Sequence, residues 1–137
     1  MTGANTDKVE TPLWAQANAI ILALASALFD RWGYLEDDKR RCRRREIAQD
    51  QCYNAWFALR KIAEMFLANR SCRVRAAERE MLASALKFAH EMAHDTLPGE
   101  VPVILDCQCS VAEKIRDLMV IMADDVQRKK EAHHVAA

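Results

Sequence analysis

Residues 52 to 69 read CYNAWFALRKIAEMFLAN, and the spacing of their apolar side chains decides the fold. Cys52, Trp56, Leu59, Ala63 and Phe66 recur at three- and four-residue intervals, which places them on one face of an α-helix. Tyr53, Phe57 and Ile62 widen that face, and no Gly or Pro interrupts it. The pattern predicts a helix that opens at Asp37 and Asp38, whose carboxylates suit the positive end of a helix dipole, and continues to about Asn69.

The same period recurs on both sides of this segment. Thr11 can cap free amides and Pro12 fits a first turn, so a preceding helix is expected from Pro12 to Trp32, ended by Gly33. Leu13, Ala17, Ile20, Leu24 and Leu28 form its inward stripe. Ser71 can cap a third helix from about Cys72 to Asp95, with Val74, Ala77, Met81, Ala85, Phe88 and Met92 on its buried side. The turn-rich stretch from Leu97 to Pro102 is the clearest break in the chain. Ser110 and Glu113 then make a capping box for a last helix, whose Val111, Ile115, Leu118 and Met122 repeat at helical spacing. Short connections make the first three helices antiparallel, and the fourth should close the bundle. The expectation is an all-α, single-domain antiparallel bundle of four to five helices over residues 11–131, between flexible segments at 1–10 and 132–137.

Composition agrees with this. A chain of 137 residues can bury roughly two thirds of its unfolded surface in one domain, so no metal or other cofactor is expected as a folding aid. With three Gly and three Pro, helix is favoured almost throughout. The five cysteines, Cys42, Cys52, Cys72, Cys107 and Cys109, are odd in number and fall partly inside helices, which argues against a secreted disulfide framework. From Pro12 to Phe29 there is no charged residue, and Ala25-Ser26-Ala27 resembles a cleavage site. Asp7 and Glu10 beside a single Lys8 do not make a basic leader, however, and Gln16, Asn18 and Ser26 break the apolar run. The expected reading is a core helix of a cytoplasmic protein with no membrane partner.

Charge carries the functional signal. Lys39, Arg40, Arg41, Arg43, Arg44 and Arg45 are six cations in seven residues, in a chain of formal net charge zero. Residues 39 to 80 hold twelve Lys or Arg against five acids, a net of +7, and the rest of the chain carries −7. On a helix the run points all round the axis, so no side of it can be buried. Arg70, Arg73, Arg75 and Arg79 form a second cluster after roughly 40 Å of helix. Clustered cations are commonly offered to a polyanion, and the planar guanidinium suits phosphate. The expected partners are the backbone of RNA or single-stranded DNA and other protein subunits of a complex. Tyr53 and Trp56 are of a type that stacks on bases, but their spacing assigns them to the core.

Two further patterns bear on chemistry. His90-Glu91-Met92-Ala93-His94 matches H-E-x-x-H, in which two histidines one turn apart bind zinc and the glutamate activates water. With Met81, Phe88 and Met92 taken as the core direction, both histidines fall about 180° to 220° away, toward solvent. Asp95 follows the second histidine, and a third ligand would have to come from Glu113, Asp117, His133 or His134. The expectation is no catalytic residue, no metal ligand and no enzyme, with two surface histidines. Cys107-Gln108-Cys109 lacks C-x-x-C spacing; with His90 or His94 it could close a structural zinc site, while plain buried or loop cysteines are the simpler reading.

In size, helical architecture and cationic positions Arg40, Arg41, Arg43, Arg44, Arg45, Arg70, Arg73 and Arg75, the whole chain resembles the small subunit of multi-subunit CRISPR effector complexes. The resemblance rests on no diagnostic motif. It implies a non-catalytic part in antiviral defence, as a ribonucleoprotein subunit that steadies guide or target strand through positive surface. The acidic flanks and the H-E-x-x-H match are not expected from it. Two other readings remain beside it: an accessory module gripping an acidic protein, and a small zinc-dependent hydrolase.

Overall fold

The computed structural model describes residues 11–37, 43–94 and 101–136. They form four helices, α1 (Leu13–Asp37), α2 (Arg43–Asn69), α3 (Ala76–Met92) and α4 (Ser110–Ala136). The chain is an all-α bundle, and its described residues contain no strand. Lys39, Arg40, Arg41 and Cys42 lie outside the described residues, as do residues 1–10 and most of the 97–102 turn.

α1 packs most extensively against α2, while α3 lies on α2 and α4 on α1. Ala17, Ile21, Leu24, Ala25 and Leu28 of α1 meet Cys52, Leu59, Ile62, Ala63 and Phe66 of α2 in one continuous core. Leu82, Ala85, Leu86 and Ala89 of α3 and Ile115 and Leu118 of α4 complete it. Burial of these side chains stabilises the fold by about 1.5–3 kcal/mol each for the larger aliphatic and aromatic ones. Trp14 and Trp56 are half-buried against the same core. Leu13–Gly33 is long and apolar enough to cross a bilayer by composition alone. Here its stripe faces the bundle.

Several boundaries differ from the expectation, each for a physical reason. Gly33 does not end α1, because its backbone stays in the right-handed region and glycine weakens a helix without stopping it. Asp37 consequently closes α1 and does not open α2. α2 ends where expected: Arg70 turns left-handed at φ 50°, and the Ser71 amide reaches back to the Phe66 carbonyl.

Residues 72–75 are not helical: the Cys72 amide donates to buried Asp125 of α4 at 2.9 Å, and Arg75 is extended at φ −76°, ψ 167°. Ser71 accepts the Arg73 amide in a local turn and does not cap α3. At the start of α4 the Ala112 amide is taken by Cys109 Sγ at 3.3 Å. α4 runs on to Ala136, through the stretch expected to be loose. It closes the bundle incompletely, since α3 and α4 touch lightly and leave between them a groove of about 1200 Å³ lined by Leu82, Leu86, Ile115, Met119 and Met122.

Candidate functional site

Two constellations stand out on this frame. The first is aromatic. α1 and α2 turn a strip of large rings outward: Phe29 is 52 %, Tyr53 51 % and Phe57 57 % exposed. Phe29 stacks on Trp32 with centroids 5.9 Å apart, and both Phe29 and Tyr53 lie 5.8 Å from Trp56. Arg60 places its guanidinium carbon 5.8 Å from the Trp56 ring centroid. The rings of Phe29, Trp32, Trp56 and Tyr53 thus form one contiguous cluster in offset or tilted contact, with Phe29 and Tyr53 about half exposed at its surface. The assignment of Tyr53 and Phe57 to the core is thereby corrected. α2 buries the face carrying Leu59, Ile62 and Phe66 against its neighbours, and the arc reaching Tyr53 and Phe57 extends past that contact.

The cationic residues fall at both ends of α2. Arg43, Arg44 and Arg45 occupy its first turn, about two turns before Tyr53. Arg70, Arg73, Arg75 and Arg79 are all exposed around the α2–α3 turn. Among the described residues none of these four has an acidic partner.

The second constellation contains the H-E-x-x-H and C-x-C motifs. Donor atoms of His90, His94, Cys107 and Cys109 all lie within 4.8 Å of one another. His90 is 2 % exposed, and its Nε2 is buried with no hydrogen-bond partner among the described residues. Cys107 Sγ stands 3.5 Å from His94 Nε2, and the two imidazoles meet edge to face at 5.0 Å. Burial, followed by the neighbouring His94, holds His90 below the ordinary imidazole range. Neutral imidazole is the form that ligates metal.

The expected solvent-facing histidines are corrected here. α3 buries Leu82, Ala85, Leu86 and Ala89, a face rotated about 80° to 90° from the line through Met81, Phe88 and Met92, and toward His90. Those bulky residues reach the core from the flank, whereas Ala77, assigned to the buried stripe, is exposed. The 101–109 segment then folds over the remaining side of the helix end. Arg116 of α4 fixes it there by donating to the carbonyls of Ile104 at 2.7 Å and Cys107 at 2.6 Å. The 3.5 Å approach of Cys107 to His94 joins parts of the chain separated by a turn, which helical periodicity does not register. The one sequence signal was the short spacing between two paired motifs.

No family model matches this chain, and neither a curated protein nor a solved structure matches it.

Proposed function

We propose that this chain is a non-catalytic subunit that binds single-stranded nucleic acid, stacking bases on the Phe29–Trp32–Trp56–Tyr53 platform and holding backbone with the arginines at either end of α2. The observation that carries the reading is the exposed ring cluster with Arg60 over it. Single-stranded binders combine a cationic track with aromatic faces, and stacking tolerates any base because every base has a π-face. Asp50 and Glu64 flank the platform. Phosphate is therefore held by the run from Lys39 to Arg45 and by Arg70, Arg73, Arg75 and Arg79, with the rings between them. Among the described residues these last four arginines have no acidic partner, which favours their offering charge to a polyanion.

The reading keeps the assembly-borne role implied by the resemblance to CRISPR small subunits, together with the cytoplasmic location expected from the cysteines. Duplex offers no unstacked base, so single strands should bind better. The test is anisotropy of labelled single-stranded RNA and DNA of mixed sequence, against the same strands as duplex. Binding to single strands that weakens as salt is raised supports the proposal. Equal or absent binding to all forms transfers the arginines and rings to an acidic, apolar protein surface instead.

A further inference from the structure

We propose that His90, His94, Cys107 and Cys109 form a structural zinc site that clamps the end of α3 to the start of α4. The donor set is two imidazoles and two thiols, the combination zinc takes in closed tetrahedral sites. With metal–sulfur bonds near 2.3 Å and metal–nitrogen bonds near 2.0 Å, such a shell puts a sulfur and a nitrogen about 3.5 Å apart and two sulfurs about 3.8 Å apart. Cys107 Sγ and His94 Nε2 are already 3.5 Å apart, and the widest separation in the set is within 4.8 Å. Side-chain adjustments of about 1 Å complete the shell.

A simple thiol–imidazole hydrogen bond accounts for Cys107 and His94 alone. It leaves His90 Nε2 buried without a partner among the described residues, and it does not involve Cys109, whose sulfur lies within 4.8 Å of the other three donors. A cation at the centre engages all four. On binding, both thiols release their protons to solvent, so the two thiolates neutralise Zn²⁺ and the imidazoles remain neutral. A site with no net charge suits its partly buried position. The surroundings are also arranged for it. Cys109 receives the Ala112 amide at the N-terminus of α4, and Arg116 pins the Cys107 carbonyl, so both sulfur ligands are oriented by contacts outside the shell. A two-iron cluster would put its cysteine and histidine ligands on different irons, farther apart than this pair.

The location explains what the ion would do. α3 and α4 touch lightly and leave a groove between them, so side-chain packing alone holds them weakly together. Ligands from the end of α3 and from the segment entering α4 join the two at the edge of that gap. Four protein donors leave no open position for water, so the ion is structural and Glu91 has no metal-bound nucleophile to activate. The H-E-x-x-H resemblance to a hydrolase thus reflects shared ligands without shared chemistry.

The test uses untagged full-length protein kept reduced. Elemental analysis should find one zinc per chain, and cobalt exchanged into the site should give the visible bands of tetrahedral Co²⁺ with thiolate-to-cobalt charge transfer. Chelation should lower the thermal midpoint, and zinc, but not magnesium, should restore it. Cys107→Ser and Cys109→Ser should each abolish stoichiometric zinc, whereas Cys52→Ser should keep it. The proposal is overturned if folded parent protein takes up no zinc or cobalt, if it carries iron instead, or if zinc persists when Cys107 and Cys109 are replaced together. The cobalt spectrum of the parent decides the matter even if a variant fails to fold.

Discussion

Arg70→Gly separates the fold from its proposed function in a single change. Arg70 ends α2 at φ 50°, a left-handed conformation that costs an L-residue with a β-carbon about 1–2 kcal/mol. Glycine removes that cost but loses about 0.5–1 kcal/mol more backbone entropy on folding. The balance is a stabilisation of about 0.5–1 kcal/mol, or roughly 2–4 °C in thermal midpoint for a chain of this length. The same substitution deletes one exposed guanidinium at the α2–α3 turn. Affinity for single-stranded RNA should fall, with the slope of log affinity against log salt shallower by about 0.7. Paired calorimetry and salt-series anisotropy measure both effects on one preparation. A lower midpoint would refute the left-handed cap, and an unchanged salt slope would remove Arg70 from the interface.

Gly33→Ala should raise stability by about 0.5–1 kcal/mol in urea unfolding, because Gly33 is helical and an added β-carbon meets nothing within 4 Å. Burial pushes the Cys72 thiol up to about 12, with Asp125 adding to the effect, and burial pushes Cys52 up to about 11 against the opposing Arg31. Both thiols should therefore resist iodoacetamide in native protein at pH 8 and react on unfolding, as mass spectrometry would show. Because these folded-state values lie above the ordinary thiol value of 9.0, their contribution to stability is complete below that pH and is lost as pH climbs toward 12. The thermal midpoint should accordingly decline above about pH 9.

The periodic part of this architecture was legible in the sequence. Cys52, Leu59, Ala63 and Phe66 line the core because a helix imposes one repeat on its whole length, and Ala17, Leu24 and Leu28 answer them from α1. What periodicity gives less well is the direction of the buried face when small and large residues share it. α3 packs through Ala85 and Ala89, where small side chains allow close approach, so weighting Met81, Phe88 and Met92 turned the wheel away from His90. The width of a buried arc depends on how many neighbours a helix has, which placed Tyr53 and Phe57 outside. Contacts across a turn lie beyond the repeat altogether. Asp125 reaching the Cys72 amide and Cys107 meeting His94 follow from how helices are arranged.

The most direct test of the central claim is quenching of intrinsic tryptophan fluorescence by an unlabelled single-stranded oligonucleotide. Trp32 and Trp56 both sit in the platform, so stacking bases should quench emission saturably, with a midpoint that moves to higher concentration as salt is raised. Replacing Phe29 and Tyr53 together by Ala should weaken binding by at least one base-stacking contribution, about 1–3 kcal/mol, or roughly 5- to 150-fold, while circular dichroism stays helical. Saturable quenching in the parent, lost at the same concentrations in the folded double variant, is the result the account predicts. Binding undiminished in that variant, or no quenching by any single strand, would contradict it.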